Sequence, residues 1–153
     1  MNRYWMLFLL LFPAIAFAQP KGKFSILESN VTSFRSLNTQ AKVARSGDSD
    51  VIIGWRSARQ GVPYHNIYIQ KVDHLGNILW EKDGLPLCPF PANQTDFAMV
   101  EDGYGGIVVV WEDYRMGSDL PLLFAQRINL RGEPLWGKDG LRLCEVKGPQ
   151  RKP

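Results

Sequence analysis

LWEKDGLPLC runs from Leu79 to Cys88, and LWGKDGLRLC runs from Leu135 to Cys144. A ten-residue phrase spelled twice admits two readings. It could be two halves of a chemical site, with cysteines and aspartates meeting at a metal, or a packing unit that the fold uses more than once. Aligning the two copies fixes an offset of 56 residues, which holds without a gap across the neighbouring sequence. Trp55 falls on Trp111, Arg59 on Arg115, Gly61 on Gly117, Gln70 on Gln126, Gly76 on Gly132 and Gln94 on Gln150. Between 51–96 and 107–152 there are 14 identities in 46 pairs, with conservative pairs such as Tyr68 with Phe124 beside them. A similarity this extended belongs to a packing unit.

The content of one unit decides its architecture. The first unit offers strands at Lys42–Arg45, Asp50–Arg56, Asn66–Asp73 and Ile78–Trp80; the second offers Phe97–Glu101, Gly106–Glu112, Leu122–Asn129 and Pro134–Trp136. Each run is rich in β-branched or aromatic residues and bounded by Gly, Asp, Asn or Pro, and no helical period appears. SGDS at 46–49, DGYGG at 102–106, HLGN at 74–77 and LRGE at 130–133 supply tight turns between antiparallel neighbours. VIIGW and IVVVW are nearly continuous apolar runs, as expected of strands buried on both faces. Four short strands in a meander, repeated along the chain, form the blade of a β-propeller. The expected fold is therefore all-β: two four-stranded antiparallel propeller-like blades with a 56-residue period, making an incomplete propeller. In this scheme Trp80 and Trp136 bury their indoles in blade packing, and Asp83-Gly84 and Asp139-Gly140 form turns.

DGYGGIVVVWEDYRMGSD at Asp102–Asp119, followed by FAQRINLRGEPLWGKDGLRLC at Phe124–Cys144, resembles a repeat found in tandem in large exported proteins of Bacteroidetes and related bacteria. Its signature here is Trp-x-Asp-x-Arg followed by Leu-Trp-x-x-x-Gly, and the resemblance covers roughly residues 38–153, more closely in the second copy. It implies β-propeller-like domains, often in proteins with carboxy-terminal secretion or sorting modules, and it carries no catalytic residues over. The division expected is a leader at 1–18, an extension at 19–39, one unit at 40–95 and another at 96–153, ending where a third would begin. Two blades do not close a ring of about four to eight. Either several chains assemble, or the chain is a fragment of a longer reading frame, and the abrupt end favours the fragment. The expected partners are further copies of the chain or other blade-containing chains, meeting through exposed strand edges.

Arg3 is followed by an apolar run from Trp5 to Ala18 ending in Ala16-Phe17-Ala18. The run is shorter than the ~20 residues of a membrane span and has the small-x-small end of a secretory leader, with cleavage expected before Gln19. The chain is thus expected to be exported to the periplasm, cell surface or beyond, with no membrane span in its mature form. Without Arg3 the balance is 17 basic to 15 acidic residues. Interspersed signs with no basic stripe argue against a nucleic-acid partner.

Cys88 and Cys144 sit at equivalent positions, which in adjacent blades usually lie too far apart for a bridge, and neither has a second ligand at zinc spacing; buried, unpaired thiols and no metal are expected. Glu112, Asp113 and Asp119 could serve calcium or a glycosidase-like pair, but the first unit has Arg56, Ser57 and Pro63 there, so they read as variable surface. Arg59 and Arg115 recur and read as ties to loop carbonyls or to a carboxylate. Gln70 and Gln126 read as amides bonding neighbouring backbone. His65 and His74 do not recur, and no nucleophile elbow or phosphate loop is present. The chain reads as a non-catalytic binding or structural module without cofactor. Arg59, Tyr64, Asp113, Tyr114 and Arg115, on the loops after VIIGW and IVVVW, are the groups expected to face a ligand. The alternative is part of a propeller-type carbohydrate-active enzyme completed by missing blades.

Overall fold

The computed structural model describes residues 37–59, 61–145 and 148–153. The leader read at 1–18, and the extension as far as residue 36, lie outside them. All regular structure among the described residues is β, and no helix there is long and apolar enough to cross a membrane. The first sheet holds β1 (Leu37–Ser46), β2 (Asp50–Ala58), β3 (Asn66–Val72) and β4 (Leu85–Pro86); the second holds β5 (Gln94–Glu101), β6 (Ile107–Asp113), β7 (Leu122–Ile128) and β8 (Leu141–Arg142). Each is an antiparallel meander in chain order.

Side chains that imitate backbone hold the connections. In the β5–β6 hairpin, Asp102 Oδ1 accepts the amides of Tyr104 and Gly106, while Oδ2 accepts Arg127 Nε at 2.8 Å. After β3, Asp73 Oδ1 accepts the amides of Leu75 and Asn77; after β7, Asn129 Oδ1 accepts those of Arg131 and Glu133. These are Asx turns, which suit a reversal too short for a ladder.

The fourth strand differs from the expected position. Ile78 and Pro134 make only isolated bridges, to Val72 and Ile128, and the chain then leaves the sheet. Buried Gln70 holds the departing loop: its Oε1 accepts the amides of Lys71 and Trp80, and its Nε2 donates to Glu81 O. Gln126 does the same with Arg127, Trp136 and Gly137. Asp83 and Gly84, both at positive φ (69° and 81°), turn the chain back so that Leu85 and Pro86 pair with Ile69 and Tyr68. A side chain at Gly84 would meet Trp55 Cη2 at 2.5 Å, and one at Gly140 would meet Trp111 Cη2 at 2.6 Å. The turn thus presses on the indole of the central strand, and only glycine fits.

The two sheets stack face to face and share one core, with Ile52, Ile67, Ile69 and Leu87 from the first and Phe97, Val109, Trp111 and Phe124 from the second. Phe97 and Met99 of β5 cover Gly54 of β2, where a methyl group would stand 3.0 and 3.1 Å from them. Gly132 lies against Trp80 and Leu85, and Trp80 Nε1 donates to Leu130 O at 3.3 Å. Gln94 fastens the start of β5 to the first sheet, accepting from Ile67 N and donating to Cys88 O. Each fully buried aliphatic side chain contributes roughly 1.5–3 kcal/mol. Trp136 departs from its expected burial: it is 38% exposed, because no described residues lie over it as the second sheet lies over Trp80.

Candidate binding rim

Where β2 and β6 end, the chain turns out of each sheet through an arginine. In the second sheet Asp113 is fully buried, with Oδ2 accepting Trp111 Nε1 at 2.9 Å and Arg115 Nη2 at 2.8 Å. Its Oδ1 accepts Arg115 Nε at 2.8 Å and Arg115 N at 3.0 Å. The guanidinium is sandwiched between Phe124 (3.8 Å to the ring centroid) and Phe90 of the preceding segment (4.4 Å), and Nη2 also reaches Asp139 O and Cys88 Sγ. Burial works against the Arg115 charge, but hydrogen bonds and charge from Asp113 outweigh it and hold the group above its usual range. Glu112 is also buried, its Oε1 accepting Lys152 N and its Oε2 lying 3.3 Å from Tyr114 Oη. Glu112 and Asp113 are therefore not the variable surface they were read as; Asp113 closes a buried ion pair that the first sheet, with Ser57 there, does not repeat. Asp119 is exposed.

In the first sheet Arg59 lies 3.5 Å above the Tyr68 ring and donates through Nη2 to Asp83 O at 2.6 Å. Burial raises the Tyr68 phenol, and Arg59 opposes the rise. Tyr64 lines a small cavity of about 210 Å³ with Tyr68, Asn66 and Pro86. The five residues read from sequence thus occupy three surroundings: Arg59 and Tyr64 beside Tyr68, Asp113 and Arg115 bound to each other inside the seam, and Tyr114 between the sheets.

Tyr114 belongs to a pocket of about 240 Å³ lined with Arg56, His65, Asn93, Thr95 and Ser118. Asn93 braces it, accepting Tyr114 N at its carbonyl and His65 N at Oδ1. Arg56 Nε and Thr95 Oγ1 are buried there with no hydrogen-bond partner. Of these lining residues only Tyr114 was expected from sequence to face a ligand; Arg56 entered only as the counterpart of Glu112, and His65 was set aside because it does not recur.

At the β1–β5 side lies a cleft of about 410 Å³ between Gln40–Lys42, Asp96–Phe97 and Lys152–Pro153. Gln40, Asp96 and Lys152 stand at successive 56-residue steps, and all three adopt positive φ (55°, 33° and 57°). The first two mark register shifts in β1 and β5, and Gln40 Nε2 donates to Asp96 Oδ1 at 2.8 Å. Cys88 is a buried free thiol, its pKa raised by burial, and Cys144 is a half-buried free thiol. No three His, Cys, Asp or Glu side chains gather to hold a metal among the described residues. Comparison with known proteins finds no matching family model, no matching curated protein and no matching solved structure.

Proposed function

We propose that this chain is an exported, non-catalytic β-repeat module, that its two sheets are neighbouring blades of a propeller-like array, and that its working surface is the rim around Arg56 and Thr95. The blade reading is supported by bonds that recur 56 residues apart: those of Gln70 and Gln126, of Gln94 and Gln150, and of Arg59 and Arg115. Export rests on the leader pattern at residues 1–18.

One observation carries the binding reading. Two buried polar atoms, Arg56 Nε and Thr95 Oγ1, share a pocket and lack partners. Leaving such groups unsatisfied costs about 1–3 kcal/mol each. A ligand bearing a carboxylate answers the guanidinium, and its neighbouring hydroxyls answer Thr95, Asn93 and Ser118; an acidic sugar has both. The pocket's lining of a guanidinium, an amide and hydroxyls suits recognition of an anionic, hydroxylated ligand.

Titration calorimetry with glucuronate and with glucose tests this. Glucuronate should bind and glucose should bind about tenfold or more weakly, the difference vanishing in Arg56→Gln. Equal binding of both sugars, or binding unaffected by Arg56→Gln and Thr95→Val, sinks the rim assignment. Export is read separately, by whether cells expressing the whole chain release a product beginning at Gln19.

A further inference from the structure

The two sheets meet through different faces, and each face has a counterpart left bare. The face of the first sheet that meets the second carries Ala44, Gly54 and Leu87, with Trp80 on the adjoining loop. Its counterparts 56 residues on are Val100, Val110, Leu143 and Trp136. Leu87 is 1% exposed and Leu143 46%; Ala44 is 9% exposed and Val100 62%. The covering surface has its own counterparts. Phe97 and Met99 pack on Gly54, and their counterparts are Ala41 and Val43, the latter 63% exposed; Gly132 presses on Trp80 and Leu85, and its counterpart Gly76 sits in a turn of the same φ, 87°. The chain therefore displays a bare socket on its second sheet and a bare plug of the matching kind on its first.

We infer that the socket around Trp136, Leu141 and Leu143 docks the plug around Val43 and Gly76 of a second copy of this chain, head to tail. The inference rests on the reading of the sheets as neighbouring blades, and it moves self-association from the strand edges to the sheet faces. What covers such a socket is visible inside the chain: Phe97 and Met99 from β5, and a glycine turn laid over an indole, in whose places the plug offers Ala41, Val43 and Gly76. Exposed apolar patches of this kind mark interaction surfaces. Socket and plug are different surfaces, so the contact is heterologous and continues from copy to copy until a ring closes. Blades of this type close at about four to eight, which two to four copies supply. Residues Pro149–Pro153 of one copy and Leu37–Ala41 of the next fall on the same track when counted in 56-residue steps.

The test uses the whole chain and two single substitutions at exposed side chains, Val43→Glu and Leu143→Glu, with thermal unfolding confirming that each stays folded. By size-exclusion chromatography with light scattering, the wild type should run as two to four copies. Each variant alone should weaken assembly about tenfold or more and run as a monomer. Mixed in equal amounts, the two variants should form a dimer and nothing larger, because one has a sound socket and the other a sound plug. A wild type that stays monomeric up to about 100 µM, variants that assemble like wild type, or a mixture that stays monomeric overturns the docking. Hydrogen exchange on the wild type separates the two levels of failure. Protected amides at Ile69, Leu87 and Val109 in a monomeric chain refute the docking alone; rapid exchange there refutes the stacked-blade reading beneath it.

Discussion

Replacing Asp113 with alanine should be among the most damaging single changes at the surface end of β6. The side chain of Asp113 has no exposure and that of Arg115 has 10%, so the pair is shielded from solvent. Alanine removes both fork bonds at 2.8 Å and also strands Trp111 Nε1. Breaking a buried pair by deleting one partner costs about 3–5 kcal/mol. A buried unpaired indole N–H adds about 1–3 kcal/mol, though the two losses overlap because they share one carboxylate. The sum is about 4–6 kcal/mol, a large part of the ~5–15 kcal/mol that keeps a domain folded. Asp113→Asn keeps one acceptor for the indole but loses the charge and turns an NH2 group toward the Arg115 donors, at about 2–3 kcal/mol. The corresponding change in the first sheet, Arg59→Ala, removes the bond to Asp83 O and the contact with the Tyr68 ring, which together are worth about 1–2 kcal/mol. Urea unfolding measures all of these as shifts in midpoint at constant slope. In the double variant Asp113→Ala/Arg115→Ala the unpaired charge is gone, so it should be more stable than Asp113→Ala by at least about 1 kcal/mol. An Asp113→Ala cost below about 1 kcal/mol, or a double variant weaker than the single, would refute the assignment of this pair as the lock of the second sheet.

Three further outcomes follow from other contacts. Gly84→Ala and Gly103→Ala share the strain of positive φ, about 1–2 kcal/mol, but only at Gly84 would the new methyl collide with Trp55 and Ile69 O, adding about 1–3 kcal/mol; equal unfolding midpoints for the two would contradict the packed turn. Burial pushes the pKa of Asp102 up, but bonds from Tyr104 N, Arg127 and Gly106 N outweigh it and hold the carboxyl below its usual range. Its contribution is therefore present above the unfolded value of about 4 and is lost as pH falls through the lower folded value, so the melting-temperature gap between wild type and Asp102→Asn should narrow from pH 7 to pH 3. A thiol reagent should label half-buried Cys144 first and reach Cys88 only on the timescale of unfolding, since burial both encloses Cys88 and raises its pKa; equal rates would contradict this.

How much of this was legible depended on what repetition reveals. The central strands announced themselves through VIIGW and IVVVW, and the glycine turns at Gly84 and Gly140 through the doubled phrase. The fourth strands were misplaced because two residues, one of them Pro86, leave no alternation to read, and because the bonds that carry Trp80 out of the sheet come from the Gln70 side chain. Glutamines that recur keep their bonds: Gln70 and Gln94 hold the same backbone groups as Gln126 and Gln150 do 56 residues on. Asp113 stands among the residues expected to face a ligand, but its buried pairing with Arg115 was illegible for the opposite reason, since its counterpart Ser57 made it look like surface variation. The pocket around Arg56, His65 and Thr95 was illegible on the same ground. Matching a chain to itself keeps what both units need and discards what only one of them has, and a pocket made where two units meet falls in the discarded part.

The bonds of Gln70 and Gln126 reach only main-chain groups, and this has a consequence for how such units change over generations. The carbonyl that Gln70 grips belongs to Glu81, and the one that Gln126 grips belongs to Gly137. Neither bond depends on which side chain sits there, so the loop can accumulate substitutions freely while its path is preserved. Glutamine itself has no such latitude, because glutamate brings no amide hydrogens. Sibling units can therefore drift far apart on their outer loops, acquiring different contacts at each rim, without losing the register that lets them stack.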